Sequence, residues 1–397
     1  MSVFSRNVPL LAIAQALMMS GTSLLVTAAA LVGLSLAPDK SLSTLPLAIQ
    51  FIATMLLTIP AAALMARFGR KPVFMASTLL GAAGALLAVA AIVSHRFWWF
   101  AGATALIGAF NGFGVYFRFA AADIASAGQK AKAVSFVMAG GVAAAIIGPN
   151  VARYFQHSMA DAAFAGSFVA LLMIYLLAFA VLAGLRLPPP EAIEPGVPPR
   201  PLGEIVRQPR FRVAMLCGML GYGTMSFLMT ATPLAMRHHH HPFGDSAFVI
   251  QWHILAMFVP SFFTGYLIRW AGVLRVMLVG ALLGLACVAI NLSGAALWQF
   301  WLALVLLGVS WNFLFVGATT LATQTYHQSE RAKAQAVNDF SVFTTVAVAS
   351  LSAGALQHLF GWRVVNIGVT PLLVAVLLAI GWLWRVDRLG GPMENPS

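Results

Sequence analysis

Residues 62–72 of the chain read Ala-Ala-Leu-Met-Ala-Arg-Phe-Gly-Arg-Lys-Pro and join two apolar runs. The stretch places three cations around Gly69, and apolar sequence resumes directly after it. This pattern is typical of a tight turn between two membrane-spanning helices. A weaker copy, Gly-Tyr-Leu-Ile-Arg-Trp-Ala-Gly-Val-Leu-Arg, occupies residues 265–275, 203 residues further along. The pair of turns suggests a chain built from two similar halves.

The composition is that of a protein whose solvent is mostly lipid. Of 397 residues, 60% are hydrophobic and 9% are charged, whereas a soluble domain has about 25% charged residues. The net charge of +12 does not indicate a nucleic-acid partner, because the cations fall between apolar runs and do not form one patch. Cys217 and Cys287 lie in apolar runs and are read as buried thiols without a disulfide or metal role.

The apolar runs predict twelve membrane-spanning helices, since about 20 residues cross a bilayer core. The first run is too long for the apolar region of a signal peptide, so we interpret it as a permanent helix. The predicted helices cover residues 9–36, 43–66, 72–94, 97–122, 133–156, 162–186, 212–236, 247–268, 275–294, 297–325, 335–359 and 364–385.

A proline-rich stretch at 187–211 divides the chain. We therefore predict an N-terminal six-helix bundle at 1–186, a cytoplasmic linker at 187–211 and a C-terminal bundle with a short tail at 212–397. Lysine and arginine concentrate in the loops on the side of both termini. By the positive-inside rule both termini are cytoplasmic, in a bacterial inner membrane.

Further matches support the repeat. Five residues of the first helix recur 203 positions later: Ser23, Leu25, Thr27, Ala28 and Leu31 become Ser226, Leu228, Thr230, Ala231 and Leu234. Asn111 falls on Asn312 at an offset of 201. Two parallel six-helix repeats imply a substrate path between them near the bilayer midplane.

This organisation resembles the major facilitator superfamily over nearly the whole chain. In the basic turn, Arg67, Gly69, Arg70 and Lys71 match the family pattern, while Ala66 replaces its aspartate. The resemblance implies a conformational latch in which Asp123 pairs with Arg70. Gly272, in the second turn, and Asp339 are expected to belong to the same latch.

Other family patterns match incompletely. Gly148-Pro149 corresponds to the Gly-Pro of helix 5 in drug and proton antiporters, but Ala152 and Arg153 replace the glycines expected after it. Gly108 stands where such proteins carry an arginine in helix 4. The Gly-Pro favours efflux, and the departures leave uptake of a vitamin-like compound or another metabolite open.

Polar groups inside apolar runs are the candidate site residues, because ionisable groups in a membrane are costly. His253 is a candidate for proton coupling or for a helix–helix hydrogen bond. Arg118 is read either as an anion-binding group or as a cation reaching the interface. The further candidates for the substrate cavity, each also explicable by helix packing, are Gln15, Gln50, Asn111, Tyr222, Gln251, Trp252 and Asn312.

Several functions are disfavoured. His238, His239, His240 and His241 are adjacent in an outward loop, so we expect a polar connector without a physiological metal. No phosphate-binding Gly-x-x-x-x-Gly-Lys-Ser/Thr stretch occurs. We expect no cofactor and no enzymatic activity.

The sequence thus predicts a monomeric, proton-coupled secondary transporter of a small organic compound. Efflux is the favoured direction and uptake is the alternative. A non-transporting membrane receptor is the rival from another class.

Overall fold

The computed structural model describes residues 6–125, 130–187, 200–327 and 330–389, which form helices joined by short turns. The N-terminal part also has a short 3-10 helix at Lys40–Leu42, and its α-helices are α1 Asn7–Leu36, α2 Leu45–Phe68, α3 Arg70–Val93, α4 Phe97–Gly114, α5 Phe117–Ile124, α6 Lys130–Met138, α7 Gly140–Tyr154 and α8 Ala165–Ala183. The C-terminal part forms α9 Leu202–Arg207, α10 Pro209–His238, α11 Phe243–Phe258, α12 Ser261–Ala271, α13 Val273–Ser293, α14 Leu297–Thr323 and α15 Arg331–Leu389.

The number of crossings follows from helix length. Among the described residues, ten helices are long and apolar enough to span a membrane, and the bent pair of α11 and α12 makes eleven. α15 has 59 residues, far more than the roughly 20 that one crossing needs. At Gly361 its backbone leaves the helical region with φ 75°. α15 therefore makes two crossings, which gives the predicted twelve.

The two sequence stretches that suggested a repeat adopt the same backbone turn. Gly69 has φ 83° and ψ 158°, and Gly272 has φ 87° and ψ 150°. Positive φ is strained for residues with a side chain, so glycine is required at both places. Each turn ends one helix and begins the next without an intervening loop.

Several predicted helices contain breaks that the sequence did not indicate. The predicted helices 97–122, 133–156 and 247–268 are each interrupted, after Gly114, at Ala139 and around Pro260. The last break has a direct cause, because proline has no N–H to donate within a helix. α10 begins at Pro209 rather than at 212, and α9 lies inside the stretch predicted as a linker.

The end of this linker is attached to the C-terminal half. Glu330, whose side chain is buried, accepts hydrogen bonds from Arg200 Nε at 2.7 Å and from the Arg200 backbone N–H at 2.8 Å. Gln208 Nε2 donates to Thr325 O at 2.8 Å. The hydrogen bonds from the Arg200 guanidinium hold the pKa of Glu330 well below its usual value, which favours the charged, paired form.

The same pairs of crossings pack in each half. α1 packs on α7 as α10 packs on α15, and α2 packs on α4 as α11 packs on α14. α3 lies between α4 and α8, as α13 lies between α14 and α15. The repeat suggested by weak sequence matches is therefore present in the helix packing.

The two halves meet through α1 with α10, α2 with α15 and α7 with α11. We call the face where α1 begins and α15 ends the terminal face, and the opposite face the distal face. Contacts between the halves concentrate near the distal face. There Gly354 N donates to Thr44 Oγ1 at 3.1 Å, and the rings of Phe164 and Phe243 meet edge to face at 4.8 Å.

We expect Gly354→Val to open the distal face. A Cβ at Gly354 would lie 2.7 Å from Thr44 Oγ1 and 2.8 Å from Ser43 Oγ, and such overpacking costs about 1–3 kcal/mol. A cysteine replacing the buried Thr27, after Cys217 and Cys287 are changed to alanine, reports on the opening. Its labelling by a maleimide should become about tenfold faster, which corresponds to about 1.4 kcal/mol.

The matched control is Gly368→Val in the second crossing of α15, because a Cβ there meets nothing within 4 Å. Equal labelling rates in the two glycine variants would contradict the role of the Thr44–Gly354 contact.

Candidate substrate site

The side chains of α1 and α10 show where the space between the halves is accessible. α1 is fully buried from Ser23 to Gly33, and α10 is fully buried from Gly223 to Met236. Towards the terminal face both helices have partly accessible residues, and the deepest of these are Thr22 and Tyr222. The space between the halves is therefore sealed at the distal face and opens to the terminal face.

The sealed segments carry hydroxyl groups. Within the part of the chain that the structure describes, the hydroxyls of Ser23, Thr224, Ser226 and Thr230 are buried and have no hydrogen-bond partner. Thr27 and Thr232 instead donate to the carbonyls of Ser23 and Leu228, both at 2.7 Å. The seal is thus partly polar, although it lies among apolar side chains.

On the N-terminal side, buried polar side chains lie next to the partly accessible Thr22 at the deep end of the space. Asn111 Nδ2 donates to Thr22 Oγ1 at 2.9 Å. Asn111 and Gln15 are each 6% exposed. Asn111 Oδ1 and Gln15 Oε1 have no partner among the described residues, so two amide oxygens remain as hydrogen-bond acceptors.

On the C-terminal side, the side chains at the same depth are aromatic. We call the cluster of Tyr222, Phe258, Trp311, Phe315 and Phe343 the aromatic wall. The rings of Trp311 and Phe315 stack with centroids 5.1 Å apart, and Tyr222 meets both edge-on at 5.3 and 5.4 Å. Phe258 lies 6.1 Å from Trp311, and Phe343 lies 6.1 Å from Tyr222. Apart from Trp311, these side chains are partly accessible.

Asn312 lies in a different environment from its repeat partner Asn111. Its Nδ2 donates to Met257 O at 2.7 Å and to Ser261 Oγ at 2.6 Å, and its Oδ1 accepts from Thr264 Oγ1 at 2.6 Å. Asn312 is fully buried and joins α14 to α11 and α12. Asn111 therefore keeps a free acceptor beside the partly accessible Thr22, whereas the amide of Asn312 is used in helix packing.

The other predicted cavity residues are dispersed. Gln50 is buried on α2, and its carbonyl accepts from Thr54 Oγ1 at 2.9 Å. Gln251 Oε1 accepts from Asn150 Nδ2 at 2.8 Å and so joins the two halves near the distal face. Trp252 is 40% exposed and packs against Phe248 and Trp301, outside the aromatic wall.

His253 is fully buried between α11 and α14. Its Nδ1 lies 2.8 Å from Leu304 O, and because a carbonyl only accepts, Nδ1 carries the proton. Nε2 has no partner among the described residues. The histidine thus keeps one nitrogen that can bind a proton.

Sequence reasoning missed Thr22 and four members of the aromatic wall, Phe258, Trp311, Phe315 and Phe343. One signal was present, because Trp311 and Phe315 are four residues apart and so lie on one face of a helix. In a chain with 11% aromatic residues, that spacing alone does not separate a lining residue from one that faces lipid.

The comparisons agree with this architecture. The family model of the Major Facilitator Superfamily matches residues 11–325 and again 214–396. The chain belongs to the Major Facilitator Superfamily. It is 42% identical over 393 residues to a protein named riboflavin transporter RfnT of Brucella anthropi, with 98% of each chain covered. This facilitator is accordingly a membrane transporter and not an enzyme.

More distant relatives agree on the fold. The chain is 28% identical to an uncharacterized transporter of this superfamily from Bacillus subtilis, YdeG, over 98% of this chain and 93% of the other. The nucleoside transporter NupG has a TM-score of 0.74 at 11% identity, over 95% and 99% of the two chains. A bacterial homologue of the iron transporter ferroportin gives 0.64 at 14% identity, over 96% and 100%.

The basic turn of this facilitator is held within its own half. Arg70 forms an ion pair with Asp123, and their side chains are 29% and 56% exposed. Lys71 Nζ donates to Ala183 O at 2.7 Å, and the Arg67 guanidinium lies 5.2 Å from the centre of the Phe68 ring. In the second turn, Arg275 Nη1 donates to Ala271 O at 3.3 Å. Each turn is thus held by contacts within its own half.

Two groups of opposite charge lie in opposite halves. Arg118 on α5 stacks over Phe119 at 4.9 Å, and Asp339 on α15 accepts from Asn338 Nδ2 at 3.1 Å. The charge of Arg118 acts on Asp339, so the two lie within electrostatic range although they belong to opposite halves. They lie nearer the terminal face than Thr22 and Tyr222, outside the deep end of the space.

Gly148 and Pro149 are buried where α7 packs on α1. A Cβ at Gly148 would lie 2.7 Å from the carbonyl oxygen of Ser20. The glycine therefore allows the two helices to approach closely.

The histidine run lies at the distal face. His241 Nε2 is 2.8 Å from Ala295 O, and His241 Nδ1 is 3.6 Å from Asp245. Burial, followed by the neighbouring histidine charges, lowers the pKa of His239. Among the described residues no three His, Cys, Asp or Glu side chains are arranged to hold a metal ion.

If Asp123 acts only as a latch, Asp123→Asn should change the transport rate and leave substrate affinity nearly intact. An exposed ion pair contributes about 0–1 kcal/mol, so we expect a rate change within about fivefold. Initial transport rates and equilibrium binding measure the two effects separately.

Asp161→Asn is the matched control, because Asp161 is exposed in the loop between α7 and α8. A large loss of affinity in Asp123→Asn would overturn the latch assignment.

Proposed function

We propose that this facilitator transports riboflavin or a closely related flavin. The proposal rests on the 42% identity to a riboflavin transporter, which extends over 98% of both chains. Identity of this extent covers both halves and the helices that line the space between them.

The chemistry of the deep end supports a flavin. The isoalloxazine ring system of riboflavin is flat and aromatic, and the aromatic wall offers partly accessible rings of four helices. Aromatic pairs gain about 0.5–1.5 kcal/mol beyond the area they bury. The ribityl chain of riboflavin carries several hydroxyl groups, which suit the free amide oxygens of Gln15 and Asn111.

We propose uptake as the direction, in place of the efflux that Gly148-Pro149 favours. Gly108, Ala152 and Arg153 depart from the antiporter pattern, and these departures leave uptake of a vitamin-like compound open. With both termini in the cytoplasm of a bacterium, the terminal face is the cytoplasmic side of the inner membrane. A space sealed distally and open to the cytoplasm is the state from which an importer releases its substrate.

We further propose that a proton gradient drives transport and that His253 carries the proton on Nε2. Imidazole is the side chain whose unperturbed pKa lies near neutral pH. His253 lies between α11 and α14, and α14 also carries Trp311 and Phe315 of the aromatic wall. A change in its protonation can therefore act on a helix that lines the site.

Transport is tested in a riboflavin-auxotrophic bacterium that lacks its own riboflavin transporter. Cells that express the full chain should accumulate radiolabelled riboflavin and grow at low external riboflavin, since the chain is proposed to import it. Trp98→Ala is the control variant, because Trp98 is 63% exposed at the distal end of α4, and it should behave like the unaltered chain.

Absence of uptake, combined with faster loss of riboflavin from preloaded cells, would reverse the proposed direction. Absence of both activities would overturn riboflavin as the substrate.

His253→Gln tests the proton step, because glutamine keeps an amide that can donate to Leu304 O but does not titrate. We expect gradient-driven accumulation in proteoliposomes to be abolished, while counterflow exchange of riboflavin persists. Exchange needs no net proton movement and therefore reports on the intact site.

His157→Ala is the matched control, since His157 is exposed outside the helices. Gradient-driven accumulation that is unchanged in His253→Gln would rule His253 out as the proton carrier.

A further inference from the structure

We propose that the two halves bind chemically different parts of one ligand. The aromatic wall of the C-terminal half holds the flat ring system, and the Thr22–Asn111–Gln15 group of the N-terminal half holds the hydroxylated chain. This assignment rests on the proposed flavin substrate and adds an orientation of that substrate across the interface.

The two surfaces lie at the same depth. Thr22 is 15 residues from the start of α1 and Tyr222 is 13 residues from the start of α10, which correspond to about 22 Å and 20 Å of helix. α1 and α10 pack against each other, and beyond these residues both are fully buried. Thr22 and Tyr222 therefore mark the floor of one space from its two sides.

The polar side has hydrogen-bonding capacity that the protein itself does not use. Asn111 Nδ2 is occupied by Thr22 Oγ1, which fixes the amide so that Oδ1 is left as an acceptor. Gln15 precedes Thr22 on α1 by seven residues, which places it about two turns nearer the terminal face. Its Oε1 is a second free acceptor. Unpaired acceptors on two side chains that are each 94% buried favour a ligand that brings hydroxyl donors.

The aromatic side has a complementary character. Trp311 and Phe315 stack nearly parallel, with 9° between their planes, and Tyr222 closes one side of the pair edge-on. Trp311 Nε1 has no partner among the described residues. A flat ring with acceptor atoms at its edge can pack on this surface and accept from that indole N–H.

Charge placement agrees with an uncharged ligand. The deep end is formed by the Asn111 amide, the Thr22 hydroxyl and aromatic rings, whereas Arg118 and Asp339 lie nearer the terminal face. A ligand that bridges the two surfaces contacts both halves at once, so it can stabilise closure of one half on the other. A ligand with only one of the two parts contacts only one half.

Binding to the purified full-length protein tests the orientation with two ligands. Riboflavin has both parts, and lumichrome has a flat tricyclic ring without the ribityl chain. Protein is added stepwise to each ligand, and the change in ligand fluorescence gives the dissociation constant. Trp311→Leu and Tyr222→Leu should weaken binding of both ligands by about tenfold, since each removes an aromatic contact.

Thr22→Val and Asn111→Leu keep the approximate side-chain shape and remove hydrogen-bonding groups. Each should weaken riboflavin binding by about fivefold and leave lumichrome binding unchanged. Persistent lumichrome binding in Thr22→Val and Asn111→Leu, together with unchanged melting temperatures of all site variants, separates loss of contact from loss of folding. Trp98→Ala, outside the site, should leave both affinities unchanged.

Each outcome decides one question. Riboflavin binding with the selective pattern supports the orientation. Equal weakening of both ligands by Asn111→Leu, or lumichrome binding unaffected by the aromatic substitutions, overturns the orientation while riboflavin remains the substrate. Lack of riboflavin binding by the unaltered protein overturns the proposed function and this assignment with it.

Discussion

The seal between α1 and α10 is the contact on which the other features of the site depend. From Ser23 and from Gly223 towards the distal face these helices are buried without interruption. On the other side of those residues the halves diverge, and Thr22, Asn111, Tyr222 and Trp311 come to surround one space. The Thr44–Gly354 and Asn150–Gln251 hydrogen bonds reinforce the seal at its edges.

The repeat gives the two halves one framework and different linings. Crossings pack in the same pairs in both halves, and Gly69 and Gly272 form the same turn. Asn111 and Asn312 occupy corresponding helices, yet one keeps a free acceptor and the other is saturated by Met257, Ser261 and Thr264. The two halves are therefore alike in how their helices pack and different in the hydrogen bonding of the side chains near the proposed site.

Much of the fold could be predicted from the sequence, because a chain in lipid must satisfy its backbone hydrogen bonds within helices. Run length therefore determines the number of crossings, and glycines with positive φ mark sharp turns between them. Breaks such as the one at Pro260 were missed, since hydropathy does not record a bend. Most of the site was also missed, because no local sequence signal separates Trp311, between Ser310 and Asn312, from an exposed tryptophan such as Trp98. What distinguishes them is which helices lie next to them, and only the tertiary structure contains that information.

The unpaired hydroxyls of Ser23, Thr224, Ser226 and Thr230 bear on how easily the molecule changes state. A buried polar group without a partner costs about 1–3 kcal/mol, so these groups offset part of the gain from apolar burial in the closed seal. When the halves separate at the distal face, water can reach the hydroxyls and that cost is recovered. The hydroxyls therefore lower the stability of the closed seal relative to the open state. A transporter must pass through both states in every cycle, and this smaller difference in free energy keeps it from being trapped in the closed one.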